Sequence, residues 1–470
     1  MGKNTLFPPD FVWGTATAAY QIEGGAHDGG RGPSIWDAFS HTPGKVHSGD
    51  TGDVACDHYH RWREDIDLIE WLGVDAYRLS ISWPRIMPAG TGAINEAGLK
   101  YYIDVLDELN RRGVKPVVTL YHWDLPQALQ DEGGWASRST AFAFGEFAKV
   151  VAKAFGERVH LWTTLNEPWC SAYLGYASGV HAPGIKSPQQ AMQAVHHLNL
   201  AHGLAAKAIR DVLGSETPIS VTLNLHVIRL ADPQDPEAVK AAHQIRLLGN
   251  EAFVGPMLDG EYPEELKELT ADLVDWDFVH DGDLAIIHQP LDVLGVNYYN
   301  PNLVRMATPG ATPERHDGHD PSGESAWIGA DRVEFLEIPG EKTEMGWPID
   351  ATGLTEILVE MGERYPDLPM MVTENGMADH DPDVVVDGQV HDERRMAYLR
   401  DHIRAVLTAI EQGADVRGYF VWSLMDNFEW SYGYTKRFGI IHINYETLER
   451  TPKDSALWYR DFISGKASLA

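Results

Sequence analysis

Short β-rich apolar runs alternate along this chain with longer stretches whose apolar residues recur every three and four positions, the periods of strand and helix. The strand runs are Phe11 to Ala18, Ala76 to Trp83, Lys115 to Trp123, Leu161 to Glu167, Ile219 to His226, Leu291 to Tyr299, Met370 to Glu374 and Gly418 to Leu424. Between them, Trp62, Ile66 and Ile69 share one helix face, and Leu99, Ile103 and Leu106 share another. Asn95 and Asp392 stand where N-caps belong, and Met396, Leu399, Ile403, Leu407 and Ile410 continue a helical stripe after Asp392. Strands followed by amphipathic helices imply parallel pairing through crossover connections. Eight such units predict an α/β fold, a (β/α)8 TIM barrel with elaborated loops, with residues 1–470 as a single domain. The competing doubly wound open sheet ranks lower, because no glycine fingerprint of the dinucleotide or P-loop type follows a strand.

Two stretches break the alternation. Pro301 to Glu344 is rich in Pro, Gly, Asp and His without a period, which predicts a long loop over the barrel mouth, and Ala378 to Gln389 is similarly polar.

Catalytic groups of such barrels sit at the carboxyl ends of strands. Glu167 and Glu374 fall there, on the fourth and seventh runs. A carboxylate pair is the minimum equipment for cleaving a glycosidic bond: the leaving oxygen needs a proton, and the opposite sugar face needs a base or nucleophile. The other ends are polar and aromatic too, with Tyr121-His-Trp-Asp124, Asn166, Asn297-Tyr-Tyr299, Trp422 and Glu429-Trp430. That mixture suits a pyranose, whose hydroxyls need hydrogen-bond partners and whose apolar face needs an aromatic plate.

The formal charge of −31, with no basic run of five or more, argues against nucleic-acid and membrane partners. Cys56 and Cys170 cannot form a disulfide framework for a chain this long and are expected to be reduced. Met1 to Asp10 has no apolar signal core, and no charge-free run of eighteen apolar residues occurs, so a cytoplasmic protein is expected. His58, His60, His196 and His197 belong to no His-Glu-x-x-His motif or Cys/His quartet and read as helix-start or helix-packing residues. No metal or cofactor is expected.

Four motifs, Phe11-Val-Trp-Gly-Thr-Ala-Thr-Ala-Ala-Tyr-Gln-Ile-Glu23, Thr164-Leu-Asn-Glu-Pro168, Val372-Thr-Glu-Asn-Gly376 and Trp422-Ser-Leu-Met-Asp-Asn-Phe-Glu-Trp430, carry a resemblance to the family 1 glycoside hydrolases, in particular their bacterial β-glucosidases. It runs from Phe7 to about Trp458. The resemblance implies that Glu167 is the general acid/base and that Glu374 is the nucleophile of a retaining double displacement, with small β-glucosides as substrates. It implies further that Tyr299 donates a hydrogen bond to Glu374, that Asn166 holds the sugar 2-hydroxyl, and that Gln21, His122 and Glu429 bind other hydroxyls. Trp422 and Trp430 would form the apolar plate, with Trp123 and Asn297 in the same pocket and Phe438 closing it. Trp347 and Trp169 would lie on the aglycone side, and Asn224 and His181 in the supporting shell. Leu165 stands where many relatives carry Phe, an apolar exchange.

Glu429 discriminates among sugars. The 6-phosphosugar branch of the family departs from Glu here, since a carboxylate near the 4- and 6-hydroxyls would repel phosphate. A non-catalytic sugar-binding relative would lack one of the two glutamates, and this chain has both. Transglycosylation shares the hydrolytic intermediate and stays an alternative, as does activity on β-galactosides and β-fucosides.

Overall fold

The computed structural model describes residues 4–318, 324–380, 385 and 388–469. Eight strands close a barrel: β1 (Val12–Ala16), β2 (Ala76–Ser80), β3 (Lys115–Tyr121), β4 (Leu161–Asn166), β5 (Ile219–Asn224), β6 (Val293–Asn297), β7 (Met370–Asn375) and β8 (Val416–Trp422). All neighbours pair in parallel, and β1 meets both β2 and β8. The outer helices follow in turn as α1 (His58–Leu72), α2 (Glu96–Arg111), α3 (Arg138–Phe155), α4 (Pro188–Leu213), α5 (Pro236–Arg246), α6 (Thr352–Arg364), α7 (Glu393–Glu411) and α8 (Asp454–Ile463). The barrel is thus the (β/α)8 fold that the alternation predicts. Among the described residues no helix is long and apolar enough to cross a membrane.

The strands read as near-continuous apolar runs because helices cover the sheet outside and side chains fill it inside. Within the barrel Phe420 occupies the space over Gly14, where a Cβ would come within 2.3 Å of the ring. A polar ladder crosses the interior. Thr163 Oγ1 meets Ser220 Oγ at 2.7 Å, Thr222 Oγ1 donates to Thr373 Oγ1 at 3.2 Å, and Thr373 Oγ1 donates to Asn297 Oδ1 at 2.8 Å.

Differences from the sequence reading have local causes. Asn95 and Asp392 do occupy the N-cap positions of α2 and α7, but neither side chain accepts from a first-turn backbone amide: the Asn95 amide donates to Gly29 and Arg85 carbonyls, and Asp392 accepts from the side chains of Ser455 and Arg395. On α7 the buried face includes Arg395, Tyr398 and His402 beside Leu399 and Ile403, while Met396, Leu407 and Ile410 are half-buried. The stripe is rotated because Arg395 satisfies buried carbonyls at Met377 and Arg437. The Pro301 to Glu344 stretch is no plain loop. Asn302–Met306 pairs with Ile228–Leu230 and with Val333–Leu336 in a three-stranded sheet. The centre of the polar stretch from Ala378 to Gln389 lies outside the described residues.

Beyond β8 the chain is tied down by Asp426, fully buried, whose carboxylate accepts from Lys453 Nζ at 2.7 Å, Arg437 Nη1 at 2.8 Å and the Gly439 amide at 3.0 Å. The segment so fixed carries Glu429, Trp430 and Phe438. Removing one partner of a buried ion pair strands the other. Asp426→Ala should therefore cost about 3 to 5 kcal/mol of stability, read as an earlier urea midpoint, and an unchanged midpoint would show that the lysine finds water instead.

Candidate active site

At the carboxyl end of the barrel a pocket open to solvent is lined by Glu167 from the end of β4 and Glu374 from β7. Both carboxylates are buried, yet their partners differ. Glu374 Oε1 accepts from Arg78 Nη1 at 2.6 Å and Oε2 from the Tyr299 hydroxyl at 2.9 Å. Glu167 Oε1 accepts from Asn297 Nδ2 at 2.7 Å, and Oε2 faces the Cys170 thiol at 3.3 Å. One carboxylate thus has a cation and the other only neutral donors.

The electrostatics follow. Burial, and next the charge of Glu374, push the Glu167 carboxyl up to about 8, against its hydrogen bonds with Asn297 and Cys170 and the field of Arg78. Burial raises Glu374 as well, but Arg78 and the Tyr299 hydroxyl oppose it, so the pair's negative charge rests on Glu374. Burial, with Glu374 next, holds the Tyr299 phenol well above its ordinary range, which keeps it a donor.

Arg78 also orders the amides. Its Nη2 donates to Asn166 Oδ1 at 2.6 Å, and Asn297 Nδ2 donates to the same oxygen at 3.2 Å. Asn166 Nδ2 must then be the donor to His122 Nε2, 3.0 Å away, which leaves the imidazole proton on Nδ1. Burial and the charge of Arg78 hold His122 well below its ordinary pKa, so the ring is neutral. Its buried Nδ1 has no hydrogen-bond partner among the described residues and is a donor.

Around the carboxylates stands an aromatic wall. Trp123 and Trp430 pack at 4.5 Å, His122 stacks near Trp422 and Trp430 at 5.7 and 6.0 Å, and Trp347, Tyr299 and Phe438 close the far side. Trp123, Glu167 and Trp430 have left-handed backbones, with φ of 78°, 45° and 48°. Such conformations cost of order 1 to 3 kcal/mol each and persist where surroundings fix them. At the rear, a Cβ on Gly376 would stand 1.7 Å from the Trp422 carbonyl, so only glycine lets β7 and β8 approach at the pocket floor.

Of the expected residues, His122, Trp123, Glu167, Asn297, Tyr299, Trp347, Glu374, Trp422, Glu429, Trp430 and Phe438 line the pocket, with Asn224 and His181. Gln21 and Asn166 stand directly behind that wall. Gln21 Nε2 donates to the Phe428 carbonyl at 2.9 Å and to Glu429 Oε2 at 3.3 Å, and its buried Oε1 has no partner among the described residues. Trp169 does not reach the entrance. It is buried, held by ring packing 5.0 Å from Trp327 and 4.9 Å from His226, outside the pocket lining. The four histidines find protein partners: His58 with Asp65, His60 with Asp57, His196 with Asp283 and His197 with the Trp135 carbonyl.

Arg78 and Cys170 escape the sequence reading. The signal for Arg78 was present, as a charged residue inside a five-residue strand that is otherwise apolar or small. Nothing marks Cys170.

The profile of Glycosyl hydrolase family 1 matches residues 3–468. The chain belongs to that family. Among curated relatives, the family member is 52% identical to a bifunctional beta-D-glucosidase/beta-D-fucosidase of Bifidobacterium breve over 98% of both chains. It is 44% identical to beta-glucosidase A of Thermotoga maritima over 97% of both. Among solved structures it resembles the psychrophilic beta-glucosidase BglU from Micrococcus antarcticus, with TM-score 0.94, 44% identity and 100% of each chain covered. The Thermotoga maritima beta-glucosidase in complex with deoxynojirimycin gives TM-score 0.90 and 43% identity over 99% of this chain and 100% of that one.

In this family 1 barrel the two glutamates should be electrostatically linked. Glu374→Gln should bring the Glu167 titration down from about 8, while burial, the larger cause, keeps it above the ordinary 4.5. Carbon-13 NMR of labelled glutamate would read it, and an unmoved titration would mean that Glu374 does not act on Glu167.

Proposed function

We infer that the protein is a retaining β-glucosidase, and that one barrel domain carries the whole reaction. The observation that carries this reading is the unequal pair: a carboxylate held charged by Arg78 beside a carboxyl held protonated, in a pocket walled by tryptophan. Glu374 Oε attacks the anomeric carbon as the bond to the leaving oxygen breaks, and Glu167 delivers its proton to that oxygen. The product is a glycosyl ester and a free alcohol. Esterification removes the Glu374 charge, so Glu167, now ionised, can take a proton from water as the water attacks the anomeric carbon and frees Glu374. An alcohol in place of water gives transglycosylation from the same ester.

For the sugar itself, Trp422 and Trp430 offer the apolar plate, while His122 Nδ1, Gln21 Oε1 and the Glu429 carboxylate offer hydrogen-bonding atoms. Burial, then the charge of Glu374, push Glu429 up to about 8. Sugar 4- and 6-hydroxyls donating to its carboxylate would supply the donors that the ionised form lacks. The bifunctional name of the Bifidobacterium breve relative favours tolerance of β-fucosides as well. Free, buried Cys56 and Cys170 fit a reducing cytoplasm.

Two alanine variants test the roles. Glu374→Ala should abolish hydrolysis and recover turnover with azide, giving the α-glycosyl azide because the anion enters from the vacated face. Glu167→Ala should lose roughly 10²- to 10⁴-fold on cellobiose but far less on substrates with good leaving groups, and azide should give the β-product. A β-azide from the first, or uniform loss in the second, would overturn the assignment.

Glu429 fixes the glycone. Glu429→Ser removes charge-assisted hydrogen bonds and should cost about 2 to 4 kcal/mol in transition-state binding, seen as a lower glucoside kcat/KM. The ratio of 6-phosphoglucoside to glucoside activity should rise with it. An unmoved ratio would refute this reading of the pocket.

A further inference from the structure

Glu167 meets a thiol on the oxygen that Asn297 leaves open. The turn after Pro168 brings Cys170 back at i+3, with its amide donating to the Glu167 carbonyl at 3.0 Å and Sγ 3.3 Å from Oε2. Cys170 also lines the pocket, and Asn224 Nδ2 points at Sγ from 3.7 Å. On the other side Asn297 cannot turn its amide, because its Oδ1 accepts from Thr373. Oε1 is therefore committed as an acceptor. Any proton on Glu167 must sit on Oε2, against sulfur.

We propose that Cys170 is a positioning residue for the acid/base: its sulfur accepts from Oε2–H while Glu167 is an acid, and its S–H donates to Oε2 once Glu167 is a base. The idea rests on Glu167 being the acid/base. A thiol is a weak donor and a weak acceptor, so it partners both states without binding either tightly. Burial, then Glu167 itself, hold the thiol well above its ordinary pKa, so it stays S–H and adds no charge. The charged and titratable groups facing Glu167 are otherwise Glu374 from β7, Arg78 from β2, Tyr299 beyond β6 and Glu429 beyond β8.

Two substitutions should move the enzyme in opposite directions. Because a hydrogen bond to the ionised carboxylate is stronger than one accepted from the neutral acid, donation decides the sign: Cys170→Ser places a stronger donor there and favours the ionised form, whereas Cys170→Ala removes the donor and disfavours it. Because kcat/KM falls as Glu167 loses its proton, the alkaline limb should shift down in the serine variant and up in the alanine variant. Each shift should be roughly half to one pH unit, the equivalent of one modest hydrogen bond. The acid limb should stay in place. Thermal unfolding midpoints taken alongside separate folding from titration, and a merely structural cysteine would move both limbs together or neither. Shifts of the same sign, or an unmoved alkaline limb in both variants, overturn the proposal. If Glu167→Ala keeps its leaving-group dependence in that case, only the thiol's role falls. If that dependence is missing, the acid/base reading falls first.

Discussion

The ion pair between Arg78 and Glu374, 2.6 Å long and almost closed to water, is the interaction on which the site depends. A buried carboxylate without a cation would be driven toward its neutral form. With the guanidinium in place the charge stays on Glu374, and that charge in turn holds the proton on Glu167. The same guanidinium fixes the Asn166 amide, which sets the His122 tautomer. One strand residue thus keeps the charge on Glu374, adds through it to the burial that keeps Glu167 protonated, and sets the proton position of one imidazole. Lysine could not substitute, because two separate acceptors, Glu374 and Asn166, are met by two prongs of one planar fork.

Holding this arrangement requires a stiff surround. Trp123, Glu167 and Trp430 keep left-handed backbones without the freedom of glycine. Each is pinned: the Glu167 amide donates to the Thr222 carbonyl, Trp123 Nε1 to the Asn166 carbonyl, and Trp430 packs against both Trp36 and Tyr20. The Asp426 network fixes the segment that carries Trp430, with Lys453 and Arg437 on one buried carboxylate. The pocket is therefore shaped before any sugar enters, which suits a reaction whose rate depends on placed charges.

Much of this was legible in the chain because period and polarity speak for the same elements. All eight barrel strands overlap the apolar runs, and the two glutamates stand at the polar ends of two of them. What escaped has a common physical character: tertiary partners override local pattern. Arg78 is a charge inside a strand, which only a filled barrel with an acid at its centre can accept. Arg395 displaces Met396 from the inner face of α7 because buried carbonyls need donors. The sheet formed by Ile228–Leu230, Asn302–Met306 and Val333–Leu336 joins segments far apart in sequence, so no local window reveals it. Trp169 turns away from the pocket because its packing partners, Trp327 and His226, come from elsewhere in the chain.

The charge count of the pocket explains its choice of ligand. Three carboxyls, Glu167, Glu374 and Glu429, converge with Arg78 as their close guanidinium, and burial already pushes two of them up to about 8. A phosphorylated sugar would add negative charge where carboxyls already resist ionising. A neutral sugar does the opposite, since each hydroxyl can rotate to donate to a carboxylate or accept from His122. Aromatic faces take the ring's C–H surface without adding charge. The formal −31 of the whole chain is a separate matter, spread over a solvated surface where salt screens it within about 10 Å. Selectivity against anions is therefore set locally, by buried acids that water cannot screen.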